Sequence, residues 1–456
     1  MKWQPYPKYK DSGEDWLGAV PEGWETRTIK RTRYLKGRVG WKGLTSQEYQ
    51  TDGYAYLVTG TDFNDKFIDW DSCHFITQER YEDDPFIQLS NGDLLITKDG
   101  TIGKVSLVKN LDKPACLNSG IFLVRPLSSF INEFLYWVLS SFVFKEFIRL
   151  RASGTTILHL YQNVFEEFIY PVPSIEEQQA IATFLDKETG RIDALIAKKK
   201  TLIEKLKEQR TAIISNAVTR GLPDDVAPRY GLVPHTHFKL SDVDWLGHVP
   251  KGWEIKAIKW ISSVQRGASP RPIDDPIYFD DEGEYSWVRI ADVTASDRYL
   301  TQTTQRLSRL GSSLSVKLCP NELFLSIAAT VGKPCISKIK CCIHDGFVYF
   351  PQLKENTDFL FYIFACGQPY LGLGKFGTQL NLNTDTVGSI KVALPPLEEQ
   401  QAIASYLDEQ TGKIDTLIAK VEQAITTLQE YRSALITAAV TGKIDVRNEA
   451  HAQEVS

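Results

Sequence analysis

The chain has 456 residues, 43% apolar and 24% charged, with a formal net charge of −5. That is enough for two or three cores of ordinary globular type, and no run approaches the 18 or more apolar residues of a membrane span. The negative balance excludes a general basic field for holding a polyanion, so any nucleic-acid contact must come from local clusters of Lys and Arg.

The opening Met1-Lys2-Trp3-Gln4-Pro5 is polar and contains proline, unlike a secretory leader, and a cytoplasmic location is expected. Asp15-Trp16-Leu17-Gly18-Ala19-Val20-Pro21-Glu22-Gly23-Trp24-Glu25 follows, and it returns as Asp244-Trp245-Leu246-Gly247-His248-Val249-Pro250-Lys251-Gly252-Trp253-Glu254 with two differences. After the first copy, residues 26–47 carry Arg27, Lys30, Arg31, Arg33, Lys36, Arg38 and Lys42 without an acid. Residues 255–273 carry Lys256, Lys259, Arg266 and Arg271, also without one. A charge run is usually a solvated face, but its recurrence in both halves makes these residues candidates for phosphate contact.

The middles of the two halves match only faintly. Gly92-Asp93-Leu94-Leu95-Ile96 parallels Asn321-Glu322-Leu323-Phe324-Leu325, Thr101-Ile102-Gly103-Lys104 parallels Thr330-Val331-Gly332-Lys333, and Ser153-Gly154-Thr155 parallels Phe376-Gly377-Thr378. Short apolar runs at Phe86-Ile87, Leu94 to Ile96, Lys104 to Val108 and Gly120 to Val124 predict strands. Helical spacing predicts a helix near Phe134 to Leu150, and again near Phe359 to Leu373. Each middle reads as an α+β globule of about 150 residues.

Each half then leaves through a second near-copy, Glu176-Glu177-Gln178-Gln179-Ala180-Ile181-Ala182 and Glu398-Glu399-Gln400-Gln401-Ala402-Ile403-Ala404. From Ile192 to Val218 apolar residues follow a seven-residue repeat: Ile192, Leu206 and Ile213 at one position, Leu195 and Leu202 at the next, with Ile196, Ile203 and Ala217 widening the stripe. The second half keeps the register with Ile414, Val421, Leu428 and Leu435, then Leu417 and Ala424, then Ile418, Ile425 and Ala439; Lys199 interrupts the first seam where Val421 continues the second. Gly190 and Gly412 stand just before the pattern. Some 28 residues at about 1.5 Å each predict a rod of roughly 40 Å, which either packs on its own domain or pairs with the other copy.

Catalytic motifs are missing. Gly100-Thr101-Ile102-Gly103-Lys104 is no phosphate loop, because Lys98 stands where glycine is needed and Val105 follows the lysine. There is no H-E-x-x-H, no G-x-S-x-G and no G-x-G-x-x-G after a strand, and Pro395-Pro396 lacks the flanks of an aminomethyltransferase motif. Seven scattered cysteines without a C-x-x-C pair read as reduced thiols. Cys341-Cys342-Ile343-His344 could form half of a zinc site, but no second half matches, so buried strand thiols and no metal are expected.

Pro7-Lys8-Tyr9-Lys10-Asp11-Ser12-Gly13 with Trp16-Leu17-Gly18 and Pro21-x-Gly23-Trp24 resembles type I restriction–modification specificity subunits. So does Pro-x-x-Glu-Glu-Gln-Gln from Pro173 and from Pro395, followed by Ile-Asp-x-Leu-Ile at 192–196 and 414–418. The resemblance covers nearly the whole chain. It implies two target recognition domains alternating with two long helices that pair as an antiparallel coiled coil, in a pseudo-twofold repeat. Each domain would read half of a bipartite double-stranded DNA site, while the helices set the spacer and dock two modification subunits. Restriction subunits would complete the assembly, and S-adenosylmethionine, ATP and magnesium would belong to the partner subunits. The expected division is 1–172 for the N-terminal segment and first recognition domain, 173–221 for the central helix, 222–243 for a linker, 244–394 for the second recognition domain, 395–443 for the C-terminal helix and 444–456 for a tail.

Base reading needs paired donors and acceptors, such as Arg to guanine and Asn or Gln to adenine. Matching Leu57-Val58-Thr59-Gly60-Thr61-Asp62 with Trp287-Val288-Arg289-Ile290-Ala291-Asp292 sets Thr59 opposite Arg289. The expected DNA contacts are Arg38, Lys42, Thr59, Thr61, Lys98, Thr101, Lys104, Thr155 and Thr156 in the first half, and Arg266, Arg271, Arg289, Thr330, Lys333, Thr378 and Gln379 in the second. Ordinary loop polarity is the alternative at each position, and His159 reads as structural. Two other classes remain open at this point: a scaffold whose repeats bind only proteins, and a nuclease with dispersed acidic residues and a lysine.

Overall fold

The computed structural model describes residues 3–38, 44–127, 130–151, 159–370, 382–447 and 449. They form two units, one made of Met1–Lys199 with Glu422–Ser456, the other of Lys200–Val421.

In the first unit a six-stranded sheet runs in the order Arg33–Gly37, Ile121–Pro126, Leu94–Thr97, Val105–Leu107, Phe67–Ile68, Phe63–Asn64. A three-stranded sheet has Ala55–Val58 between Ala115–Leu117 and His74–Ile76. The second unit repeats the plan. Its five-stranded sheet is Gln265–Arg266, Phe347–Tyr349, Leu323–Ser326, Pro334–Ser337, Tyr299–Leu300, and its four-stranded sheet is Gln305–Leu307, Tyr285–Val288, Cys341–Ile343, Val316–Leu318. Ala55–Val58, Leu94–Thr97 and Leu323–Ser326 are buried along their whole length, which explains unbroken apolar runs in place of alternation. The run at Phe86-Ile87 is instead part of a 3₁₀ turn, Pro85–Ile87, started by Pro85 and capped by Asp84 Oδ1, with Phe86 exposed. The helix expected near Phe134 to Leu150 is two helices, Asn132–Ser140 and Phe142–Arg151, parted at the extended Ser141. Its counterpart is Thr357–Ala365, capped by Asn356.

The copied opening is a scaffold in both units. Gly18 and Gly247 take φ values of 67° and 57°, which only glycine adopts without strain. Trp16 and Trp245 then donate their indole N–H to the carbonyls of Ile169 and Lys391, each at 3.2 Å, while Trp24 and Trp253 are buried.

The long helices span Ile175–Arg220 and Leu397–Val440. At 46 and 44 residues they exceed the expected 28, because Gly190 and Gly412 lie inside them rather than before them. One glycine costs a helix only about 1 kcal/mol, which the packing of its neighbours Leu185 and Ile192 offsets. The Glu pairs in each first turn favour the positive end of the helix dipole, and Gly221 and Gly442 end the helices with φ of 84° and 67°.

The first unit's core joins Ile181, Leu185, Ile192 and Ile196 from the first helix with Leu435, Ile436 and Val440 from the second. The second unit's core joins Ile214, Ala217 and Val218 with Ala402, Ile403 and Leu407. In each unit the beginning of one helix therefore lies with the end of the other, and the pairing is antiparallel. The buried stripe is narrower than the expected one. Ile192, Ile196, Ile203, Leu206, Ile414 and Val421 are buried, but Leu195, Leu202 and Leu417 stand 43%, 42% and 44% exposed.

Candidate nucleic-acid interface

Three loops meet at one end of the sheets in each unit. In the first, the turn after Ala55–Val58 is fixed by Asp62, whose carboxylate accepts from the Thr59 backbone N–H at 2.6 Å and its hydroxyl at 3.0 Å. Thr59 and Thr61 hydroxyls share a hydrogen bond of 2.7 Å at the surface. Gly60 in this turn lies so close to Thr97 that a Cβ there would sit 3.0 Å from its methyl group, which sets the turn against the hairpin loop 98–104. The Asn118 N–H donates to the Val58 carbonyl, and the Lys98 N–H donates to the Gly120 carbonyl, each at 2.9 Å, drawing in the third loop.

The second unit builds the same junction. The Arg289 N–H donates to Asp292 at 2.8 Å, matching Thr59 with Asp62, so Thr59 and Arg289 occupy equal places in the fold. The Ile327 N–H donates to the Gly346 carbonyl at 2.9 Å, matching Lys98 with Gly120. Thr330 shares a hydrogen bond of 2.8 Å with Thr294, and Lys333 Nζ donates to the Thr294 carbonyl at 2.9 Å. Gly103 and Gly332, with φ of 79° and 83°, let both hairpin loops close back on Thr97 and Ser326. The Thr-x-Gly-Lys repeat is thus hairpin chemistry rather than a phosphate loop.

The basic residues divide sharply. Arg38 is only 2% exposed and donates to the Leu117 carbonyl at 3.1 Å and to the Cys116 sulfur at 3.3 Å, which corrects its reading as a phosphate contact. Arg33, 3% exposed, donates to the Thr32 and Ile131 carbonyls, each at 2.9 Å, and lies against the Phe130 ring. Arg33 opens the strand Arg33–Gly37 on its inward face, whereas Arg38 lies just past the strand and is drawn in by Leu117 and Cys116, and counting charges along a run registers neither. Arg27 pairs with Glu25 and Lys256 with Glu254 on the same strands. Lys36 stays accessible over the Phe86 ring at 5.2 Å, as does Lys98 over Phe122 at 5.0 Å. Thr101 and Lys104 are exposed in the hairpin loop. Arg266 and Arg271 are exposed, but both reach Asp345, Arg266 through its carbonyl and Arg271 through its carboxylate at 3.0 Å. Lys42, Thr155, Thr156, Thr378 and Gln379 lie outside the described residues.

A groove of about 420 Å³ in the first unit is lined by Tyr34, Lys36, Lys98, Phe122, His159 and Gln162 among others. Its lining includes three cationic residues, the accessible Lys36 and Lys98 and the buried Arg38, with an imidazole and a carboxamide, a set suited to phosphate and base edges. His159 holds Asp99 by its Nδ1, and its ring lies 4.5 Å from the exposed Tyr161 ring at an interplanar angle of 60°. Tyr161 and Gln162 were invisible to motif reading because neither copy repeats them. Asp345 was missed for the same reason, since its role depends on arginines more than 70 residues away.

Cys341 and Cys342 are buried strand thiols pushed up to about 11 and about 12 by desolvation. His344 accepts from the Gly346 N–H at 2.8 Å, and burial lowers its pKa, with the Arg289 charge acting in the same direction. Among the described residues no three His, Cys, Asp or Glu side chains gather as metal ligands, and no helix is long and apolar enough to cross a membrane.

The doubled Glu-Glu-Gln-Gln motif is a clamp. Gln178 accepts from the Ile131 N–H at 3.3 Å and donates to the Pro173 carbonyl at 3.0 Å. Gln400 does the same with the Asn356 N–H at 2.9 Å and the Pro395 carbonyl at 2.9 Å. Glu177 accepts from the Tyr6 hydroxyl, and Glu399 binds His235 at 2.6 Å and the Trp253 indole at 3.2 Å. The motif ties each long helix to the segment around the copied opening, through Tyr6 in one unit and His235 and Trp253 in the other, and to the start of a shorter helix of its own unit.

The profile of the type I restriction modification DNA specificity domain matches residues 21–205 and 250–427. The MjaVIII specificity subunit of Methanocaldococcus jannaschii, a type I restriction enzyme subunit, is 25% identical over 94% of this chain and 95% of its own. A solved chain described under complex assembly and conformational transition of the type I R-M system superposes with a TM-score of 0.69 at 18% identity, over 93% of this chain and 99% of that one. The HsdS subunit of Thermoanaerobacter tengcongensis gives 0.52 at 18% identity, over 93% and 98%. With both recognition units and both long helices matched, the chain belongs to the type I restriction–modification specificity family, as the DNA specificity subunit, itself non-catalytic.

Proposed function

We propose that the two units each read one half of a bipartite double-stranded DNA site, with 1–172 and 244–394 as the reading modules. The helical regions 173–221 and 395–443 hold them at a set spacing, 222–243 links them and 444–456 is a tail. The observation that carries this reading is the pair Thr59 and Arg289: one backbone junction, two different polar side chains. A shared frame with changed side chains is what two different half-sites require. Lys36, Lys98, Thr101, Lys104, Thr59 and Thr61 would face one half-site, and Arg266, Arg271, Arg289, Thr330 and Lys333 the other. Lys42, Thr155, Thr156, Thr378 and Gln379 complete the proposed contacts, and Arg38 supports the loop beneath them. The hydrogen bond of Arg266 to the Asp345 carbonyl and the ion pair of Arg271 with its carboxylate would hold both guanidiniums ready, to be exchanged for phosphate or base acceptors.

Two modification subunits dock on the long helices, where Leu195, Leu202 and Leu417 offer apolar surface that the antiparallel pair does not cover. S-adenosylmethionine, ATP and magnesium serve those subunits and the restriction subunits, in the cytoplasm. The test is genome-wide methylation mapping in an unmethylated host that carries this chain and its modification subunit. A bipartite motif with a fixed gap, absent without this chain, is expected; no new methylation from a demonstrably formed complex would overturn the reading.

A further inference from the structure

In each unit one carboxylate of a long helix is gripped by the recognition domain through the same three-part arrangement. Asp186 is the twelfth residue of the first long helix and Asp408 the twelfth of the second. Lys66 Nζ pairs with Asp186, and the Trp137 indole N–H donates to the same oxygen at 3.0 Å. Arg298 pairs with Asp408, and the Tyr362 hydroxyl donates to the same oxygen at 2.6 Å.

The parts correspond position by position. Lys66 precedes Phe67–Ile68, a strand parallel to Val105–Leu107, and Arg298 precedes Tyr299–Leu300, a strand parallel to Pro334–Ser337. Trp137 and Tyr362 stand sixth in the equivalent helices Asn132–Ser140 and Thr357–Ala365. Each cation is caged by aromatic rings. Lys66 Nζ lies 5.4 Å from the Trp137 centroid, 5.5 Å from Tyr136 and 5.7 Å from Phe67. Arg298 lies 5.0 Å from Tyr362, 5.1 Å from Phe361 and 4.8 Å from Tyr299. The Lys66 and Arg298 side chains are only 15% and 14% exposed, so each pair is largely shielded from solvent on the side of the cation.

The cation has changed from Lys to Arg and the aromatic donor from Trp to Tyr, while the charge, the donor and the acceptor have all been kept. Packing alone would not require this, because apolar contact carries no direction. A caged ion pair with a second donor on the same oxygen does fix an angle. We infer that Asp186 and Asp408, with Lys66 and Arg298, are positioning residues that lock the angle of each recognition domain on its own helix, and so set the stringency of the spacer between half-sites. The inference rests on the two-module reading above. A spacer altered by one base pair moves a half-site by about 3.4 Å and turns it by roughly 35°, a displacement that a locked domain cannot follow and a loosened one can approach.

The test is methylation mapping of complexes formed with the wild-type chain, Asp186→Asn, Asp408→Asn, Lys66→Ala and Lys66→Arg, alongside melting of each purified complex. In Asp186→Asn, Asp408→Asn and Lys66→Ala, sites with a gap one base pair longer or shorter are expected to rise at least 10-fold in methylated fraction, with both half-site sequences unchanged. Lys66→Arg, which installs the cation of the second unit, is expected to keep the wild-type gap. Unchanged stringency in folded variants, or loss of methylation at every gap length, would overturn the inference. If the wild-type chain itself yields no bipartite motif, the two-module reading fails first, and the two failures are thereby distinguished.

Discussion

Arg432 of the second long helix donates its Nε to Asp193 of the first at 2.9 Å and a terminal nitrogen to the other carboxylate oxygen at 3.1 Å. Arg210 and Asp415 form the same fork with the helices exchanged, at 2.9 and 3.4 Å. Moving forward from Asp193 to Arg210 on one helix means moving backward from Arg432 to Asp415 on the other, so the two ion pairs mark an antiparallel register.

These pairs are half-exposed, and they set register more than stability. A double-mutant cycle with Arg210→Ala and Asp415→Ala is expected to give a coupling of only about 0.2–1 kcal/mol by denaturant unfolding. A coupling above 2 kcal/mol would show that they hold the helices together.

Glu399 has a different standing from its neighbour. Its carboxylate satisfies the buried Trp253 indole and His235, while Glu398 faces solvent. Glu399→Ala leaves the Trp253 N–H buried without its acceptor and is expected to cost about 1–3 kcal/mol. Glu398→Ala is expected to cost less than about 0.5 kcal/mol. Equal losses in chemical denaturation would remove the clamp from the account.

The apolar faces of the long helices make opposite demands. Leu202→Glu, at an exposed position, is expected to leave the melting of this chain nearly unchanged and to weaken binding of the modification subunit at least 10-fold in a titration. Ile203→Glu places a carboxylate in the buried stripe and is expected to unfold the helix pair. Full binding by a folded Leu202→Glu chain would free this face from the docking role.

Arg289 separates the halves of the recognition sequence. Arg289→Ala is expected to relax discrimination at one base position by about 1–3 kcal/mol, and only in the half-site read by the second unit. Methylation mapping reads this directly, and a change in both half-sites would contradict the division between units.

The repeat, the α+β character of each middle and the two long helices were legible in one dimension, since copied motifs and heptad spacing are properties of neighbouring residues, while the spacing left open whether each helix packs on its own domain or pairs with the other. The candidate interface was legible only in part. Thr59 and Arg289 could be matched because the strands before them are similar, whereas Tyr161, Gln162 and Asp345 stand in segments whose side chains differ between the halves, so their structural equivalence leaves no trace in the sequence.

Other outcomes depended on partners distant in the chain. Periodicity states which side chains share a helix face, but the position of the second helix selected Ile196 and Ile203 for burial and left Leu195 and Leu202 outside. A run of basic residues looks uniform, yet Arg33 and Arg38 turn inward to carbonyls 98 and 79 residues away, while Lys36 keeps its charge at the groove. The Glu-Glu-Gln-Gln motif was conspicuous as a copy, but its chemistry emerged only when Tyr6, His235 and Trp253 arrived beside it. Local patterns follow from the covalent order of the chain; the partner of a charge or a buried donor follows from which surfaces folding brings together.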